Sequence, residues 1–163
     1  DTRDFTFRLS PPVLHELGLY PAMEWLAEKA EKEYGFTARL CHAGKEHKPM
    51  DFHNILFFQA AKELLFNAFK HAEASIVEIG LGEKEGVFSL HVKDNGKGFD
   101  YQKVMGQQSV KGFGLFSISE RISHIGGSMK VESSEGRGCC VSISIPASAW
   151  HDSSNQNFNR VQS

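Results

Sequence analysis

The sequence has little cysteine, no dominant charge and no long apolar run, and each shortage excludes a class of protein. Its three cysteines are an odd number with no CxxC pair, so we expect neither a disulfide framework nor a zinc site. The 18 basic and 20 acidic residues nearly balance, which argues against a nucleic-acid binder that neutralises phosphates. No apolar run approaches the roughly 20 residues of a membrane span, so no membrane segment is expected.

What remains is the composition of an ordinary globular domain, with 40% apolar and 23% charged residues. We expect one domain over residues 13–146, a linker over 1–12 and a polar, disordered tail over 147–163. The first residues, DTRDFTF, show neither an initiating Met nor an apolar signal region. We therefore expect a piece of a longer protein in a reducing, cytoplasmic compartment.

Apolar periodicity predicts three or four helices and five to six strands, and a short extended piece, FTFRL, lies within residues 1–12. The helical regions are 13–34, 51–72 and 115–124, and the strands are 36–43, 75–81, 86–92, 128–134 and 138–146. Pro21 is expected in the first turn of a helix that Gly35 ends as a left-handed cap. Helices on one side of a sheet predict an α+β fold, a two-layer α/β sandwich.

The long helix predicted over 51–72 carries a polar stripe at helical spacing. Its members are Glu63, Asn67, Lys70 and His71, and they are interleaved with Leu56, Ala60 and Leu64. This mixture fits either the solvated side of an amphipathic helix or the wall of a half-buried pocket. Carboxylate and amide oxygens suit Mg²⁺, and the cationic side chains suit phosphate oxygens.

Asp94 ends a predicted strand with the same parity as Leu90 and Val92, so it points to the core side. A buried carboxylate needs a partner, and the exocyclic amine of a purine would serve. The alternative is a plain turn in which Asp94 accepts from its own backbone. Gly96 and Gly98 follow, and because they have no Cβ they allow a close approach of backbone or ligand.

Gly112 and Gly114 stand directly before the predicted helix 115–124. A helix N-terminus offers free N–H donors to a phosphate, although a glycine pair also serves as a simple hinge. The sequence contains no P-loop and no dinucleotide-binding fingerprint. The polar stretch 99–111 is predicted to be a mobile lid.

Taken in order, ELLFNAFKHA, DNGKGF, GFGL and GRGCCVSISIP resemble the ATP-binding catalytic domain of sensor histidine kinases. That domain belongs to the wider group of gyrase, mismatch-repair and heat-shock chaperone ATPases. The segment NAFKHA and the preceding segment SPPVLHELGLYPAMEWLAE are similar to those of the nitrate-sensor and thermosensor type of two-component kinase. The resemblance implies a mixed sheet in the Bergerat-type ATP-binding arrangement.

The resemblance also implies roles at the phosphate end of the site. Asn67 would bind Mg²⁺, and Glu63 would act as the acid/base or metal-water group. Lys70 and His71 would approach the phosphates.

At the base end, the resemblance makes Asp94 the acceptor for the adenine amine. Gly96 and Gly98 would let the pocket close around the base. The GFGL residues Gly112, Gly114 and Leu115 would shape the end of the lid and contact the nucleotide.

Two departures from the family pattern stand out. Cys139 replaces the usual Thr after the last glycine, on the inward face by parity, and a thiol donates hydrogen bonds more weakly than a hydroxyl. The second is the missing helical hairpin that carries the phosphoacceptor His. His15 is a poor substitute because prolines flank it, and residues 1–12 resemble the linker that leads out of such a hairpin.

The resemblance implies an ATP·Mg²⁺-dependent protein-histidine kinase domain that acts on its own dimerisation hairpin, with a response regulator downstream. Two alternatives stay open. One is a serine kinase of the anti-sigma-factor type, and the other is a nucleotide-binding switch without chemistry, although the intact Glu63 and Asn67 disfavour the switch.

Overall fold

The computed structural model describes residues 18–43, 52–100, 102–103 and 114–146. The predicted linker 1–12, the predicted tail 147–163, Gly112, His15 and most of the predicted lid lie outside these ranges. The elements in chain order are α1 (Leu19–Tyr34), β1 (Thr37–Ala43), α2 (Phe52–Lys70), β2 (Ile76–Lys84), β3 (Val87–Asp94), α3 (Leu115–His124), β4 (Ser128–Ser133) and β5 (Cys139–Pro146).

The five strands form one mixed sheet in the order β1-β2-β3-β5-β4. β1 and β2 are parallel, as their connection through α2 requires, and the other neighbouring pairs are antiparallel. β5 inserts between β3 and β4. As a result Asp94, at the end of β3, lies opposite Cys139, at the start of β5.

The core lies between one face of the sheet and the helices. Alternate strand residues such as Ile79, Leu90 and Ile143 are fully buried, and Leu26 of α1 and Leu65 of α2 pack in the same cluster. The intervening strand residues are mostly half-buried or exposed on the other face. The predicted two-layer α/β arrangement with a mixed sheet is therefore confirmed.

Local signals in α1 also behave as predicted. Pro21 lies in the first turn, where its missing N–H leaves no hydrogen bond unmade. Gly35 has φ 83° and its N–H donates to the carbonyl oxygen of Glu31 at 3.0 Å. Because this left-handed conformation favours glycine, the helix ends here and the chain turns into β1.

None of the helices in the described part of the chain has the length and apolarity that crossing a bilayer demands.

Candidate functional site

A cavity opens where the C-terminal half of α2, the ends of β3 and β5, and the start of α3 meet. Its walls are Leu64, Asn67, His71, Ala72, Val92, Asp94, Gly98, Phe99, Leu115, Cys139 and Val141. Six of the predicted site residues are among them: Asn67, His71, Asp94, Gly98, Leu115 and Cys139. The fold thus brings residues from all four sequence motifs to one place.

Asp94 is half-buried on the cavity wall. Its Oδ1 accepts from the N–H of Gly96 at 2.9 Å, and its carboxylate also accepts from the N–H of Cys139. Burial raises the pKa of Asp94, and these two backbone donors oppose the rise. The bond to Gly96 is the predicted Asx-type turn, and Asp94 also lines the cavity, so its role as an acceptor for a purine amine stays a prediction. A carboxylate accepts about four hydrogen bonds, which leaves capacity for a ligand.

Cys139 lies opposite Asp94 in the β3–β5 ladder and lines the same cavity. Two causes raise the pKa of the Cys139 thiol to about 11: burial, which is the larger, and the nearby charge of Asp94. The thiol is therefore protonated at neutral pH. Ser133 lies opposite Cys139 on β4.

The loop after Asp94 is held against the end of α2. The N–H of Lys97 donates to the carbonyl oxygen of Ala72 at 2.9 Å, and Asn95 Oδ1 accepts from the N–H groups of Ser75 and Ile76 at 3.0 and 2.9 Å. A Cβ at position 96 would lie 2.5 Å from Ala72 Cβ. Gly96 is not among the residues that line the cavity, and because it has no Cβ the loop can pack directly against Ala72, just after α2.

A second cleft adjoins the cavity, between α2 and α3. It has a volume of about 460 Å³, within the roughly 300–1,000 Å³ typical of small-molecule sites. Glu63, Gly114, Lys62 and Arg121 lie on its walls. Burial raises the pKa of Glu63 and lowers that of Lys62, and the attraction between the two charges opposes both shifts.

Lys70 lines neither cavity. Its side chain is exposed and its Nζ lies 5.5 Å from the centre of the Phe66 ring. Its predicted approach to phosphates stays a prediction. The same holds for Gly112, which lies outside the described residues.

Some wall residues were not identified from the sequence. Val92 and Val141 share the parity of Asp94 and Cys139, so strand alternation could have identified them. Phe99 gave no such signal, because it follows a glycine loop whose path depends on contacts with β4.

The residues present fit a bound Mg²⁺. Mg²⁺ prefers oxygen ligands and takes one or two from the protein when substrate phosphates supply others. Asn67 lines the cavity with a side-chain amide, and Glu63 lies one turn earlier on α2, on the wall of the adjoining cleft. These oxygens and the phosphates of a bound nucleotide would hold the ion, whose chemistry is to neutralise phosphate charge.

Residues 53–149 match the family model described as histidine kinase-, DNA gyrase B- and HSP90-like ATPase. The chain is 30% identical over 146 residues to the signal transduction histidine-protein kinase/phosphatase DegS of Brevibacillus brevis, which covers 90% of this chain and 37% of that protein. It is 32% identical over 145 residues to the sensor histidine kinase ComP of Bacillus subtilis, covering 88% of this chain and 18% of that protein. The chain thus spans well under half the length of these relatives.

Solved structures agree on the fold. A histidine kinase domain from the blue-light activated histidine kinase of Erythrobacter litoralis EL346 superposes with a TM-score of 0.61 at 18% identity. The match covers 79% of this chain and 65% of that one.

Proposed function

Because the chain belongs to the histidine kinase-, DNA gyrase B- and HSP90-like ATPase family, we propose that it is the ATP-binding catalytic domain of a sensor histidine kinase. It transfers the γ-phosphoryl group of ATP to a histidine on a separate dimerisation domain. One observation carries the proposal: Asp94 faces a cavity whose other walls include Asn67, His71 and Cys139. This arrangement supplies an acceptor for a base beside polar groups for phosphates.

At the base end, the Asp94 carboxylate accepts a hydrogen bond from the exocyclic amine of adenine. Leu64, Val92 and Val141 are buried and cover the faces of the ring. Cys139 contributes a protonated thiol beside Asp94, in place of the hydroxyl that the family pattern has there. The amine is a donor, so an acceptor at this position favours adenine over a purine that carries a carbonyl oxygen instead.

At the phosphate end, Asn67 binds Mg²⁺ through its amide oxygen and His71 approaches the phosphates. The start of α3 provides N–H groups and the positive end of its dipole for the phosphate oxygens. Catalysis here is positioning and charge stabilisation. The bond from the γ-phosphorus to its bridging oxygen breaks as the acceptor imidazole nitrogen bonds to phosphorus, and ADP leaves.

Glu63 is the group that we propose takes the proton of the acceptor imidazole. It lines the open cleft that adjoins the cavity, so a side chain from another domain can reach it. Burial raises its pKa and thereby makes its carboxylate a stronger base than an exposed Glu. We assign the proton that the imidazole loses during transfer to this carboxylate.

The partners follow from the same reaction. The acceptor lies on the protein's own dimerisation hairpin, and the phosphoryl group passes from there to a response regulator. The location proposed for this domain is the cytoplasm, where ATP is available. The nitrate-sensor or thermosensor type stays a prediction.

Labelled ATP tests the function. The full-length kinase incubated with ATP and Mg²⁺ should carry acid-labile, base-stable label, and Asn67→Ala should abolish it while the domain stays folded. Label that is acid-stable and base-labile would support the serine kinase alternative. Full labelling in Asn67→Ala would rule out the metal role, and unchanged labelling in Glu63→Gln would rule out the proton transfer assigned to Glu63.

A further inference from the structure

The base end of the cavity is assembled from two backbone segments that are far apart in sequence. One is the loop 95–99, and the other is the turn 134–138 between β4 and β5. They touch at the bond from the N–H of Gly136 to the carbonyl oxygen of Lys97, at 2.6 Å. Gly98 and Gly138 pack so closely at this junction that a Cβ on Gly98 would lie 2.8 Å from the Gly138 carbonyl oxygen.

The side chain of Ser133 joins the same two segments. Its Oγ accepts from the N–H of Phe99 at 3.0 Å and donates to the carbonyl oxygen of Gly138 at 2.9 Å. A hydroxyl has one hydrogen to donate, which here goes to Gly138, and one of its two lone pairs accepts from Phe99.

Ser133 itself is not among the residues that line the cavity, whereas Phe99 and Cys139 are. It lies opposite Cys139 in the β4–β5 ladder, and Cys139 lies opposite Asp94 in the β3–β5 ladder. The three side chains therefore form one row across the inner face of the sheet, with Ser133 behind the cavity wall. Any effect of Ser133 on a ligand must act through its neighbours.

We propose that Ser133 is a positioning residue for the nucleotide base, an inference that rests on the proposed function. Its hydroxyl fixes Phe99 and the Gly138–Cys139 segment relative to Asp94. Without it, the N–H of Phe99 and the carbonyl oxygen of Gly138 lose their shared partner. The loop 95–99 then has fewer bonds to the turn, and the base meets a less ordered wall.

The test compares Ser133→Ala, which removes the hydroxyl, with Ser133→Thr, which keeps it. Ser128→Ala is the matched control, because Ser128 is an exposed residue of the same strand with the opposite parity. For each protein we would measure the melting temperature without nucleotide, ATP affinity by calorimetry well below that temperature, and amide hydrogen exchange at Phe99.

Ser133→Ala should weaken ATP binding about tenfold, which corresponds to the free energy of about one hydrogen bond. It should also speed amide hydrogen exchange at Phe99. Ser133→Thr should restore both to near the parent values, and Ser128→Ala should change neither. In the full-length kinase, Ser133→Ala should raise KM for ATP and leave kcat unchanged.

A lower melting temperature in Ser133→Ala with unchanged ATP affinity of the folded protein would reduce Ser133 to a structural residue and overturn the inference. Failure of Thr to restore affinity would overturn it as well. If the unsubstituted chain does not bind ATP, the proposed function is wrong and the inference goes with it. If that chain binds and Ser133→Ala binds equally well, only the inference is wrong.

Discussion

Gly114 lies directly against Glu63: a Cβ added at Gly114 would be 2.7 Å from the carboxyl carbon of Glu63. Gly114 precedes α3 with φ 70°, and Glu63 lies in the middle of α2. Glycine is therefore favoured at this position for two reasons: the chain turns into α3 with a left-handed conformation, and the Glu63 carboxylate leaves no room for a side chain. The sequence motifs ELLFNAFKHA and GFGL are therefore in contact at this point.

The first prediction concerns Gly114→Ala. A non-glycine residue in the left-handed region costs about 1–2 kcal/mol of stability, and the methyl group must also displace Glu63. Gly86→Ala is the matched control, because Gly86 has φ 75° and no atom within 4 Å of an added Cβ. Urea unfolding should show a loss in both variants, whereas phosphotransfer should fall only in Gly114→Ala. Equal activity in the two variants would contradict the role of the contact.

The second prediction concerns Asp94→Asn. The amide oxygen can still accept from the N–H of Gly96, so the fold should survive. The lost charged acceptor should weaken ATP binding by about 1–3 kcal/mol. Calorimetry with ATP measures this, and Glu28→Gln, a change at an exposed position of α1, serves as the control. Unchanged ATP affinity in folded Asp94→Asn would show that the Asp94 carboxylate does not contact the nucleotide.

The third prediction concerns pH. Burial raises the pKa of Glu63, so between its ordinary value and the raised one the folded state binds more protons than the unfolded state. The free energy of unfolding therefore falls as pH rises through this window. Above the window, the folded state bears the whole penalty of burying the charged Glu63 carboxylate. Glu63→Gln removes the penalty.

The melting-temperature advantage of Glu63→Gln over the parent should be small at acidic pH, grow as pH rises from about the ordinary Glu value, and then level off. Calorimetric scans without nucleotide measure it. An advantage that shrinks with rising pH would mean that Glu63 is stabilised, not penalised, in its charged form.

The fourth prediction concerns Asn54, which is 1% exposed and has no hydrogen-bond partner for either polar side-chain atom within the described residues. A buried polar group without a partner costs about 1–3 kcal/mol. Asn54→Leu, of similar size, should therefore raise the free energy of unfolding by up to about that amount. Denaturant titration measures the change.

Asn95→Leu is the opposite case. The side chain of Asn95 makes three hydrogen bonds, to the N–H groups of Ser75 and Ile76 and to the Ser75 hydroxyl. The same substitution should be destabilising there. If both variants lose stability equally, the Asn54 amide has a stabilising role that its contacts do not account for.

Strand alternation and helix caps were strong predictors in this sequence. The inward parity of Asp94 and Cys139 follows from the two-residue period of a strand, and their facing positions in the β3–β5 ladder confirm it. Gly35 behaves as a left-handed cap for a similarly local reason. Each of these features depends on a few neighbouring residues.

Features that depend on distant contacts were not predictable. A helical stripe fixes the direction of the Lys70 Cβ but not the position of its ammonium group, which lies over Phe66. The insertion of β5 between β3 and β4 has no local signature, and the contacts of Ser133 with Phe99 depend on it. Asn54 lies on the apolar face of α2, where periodicity predicts a hydrophobic residue.

The cavity walls come from four separate stretches of chain, represented by Ala72, Asp94, Leu115 and Cys139, and no single helix or strand contains them all. Nucleotide affinity and global unfolding are therefore thermodynamically linked. At 100 times its dissociation constant a ligand stabilises the folded state by about 2.7 kcal/mol. A cell rich in ATP would thus mask many destabilising substitutions in this domain, and the same substitutions would become harmful only when energy runs low.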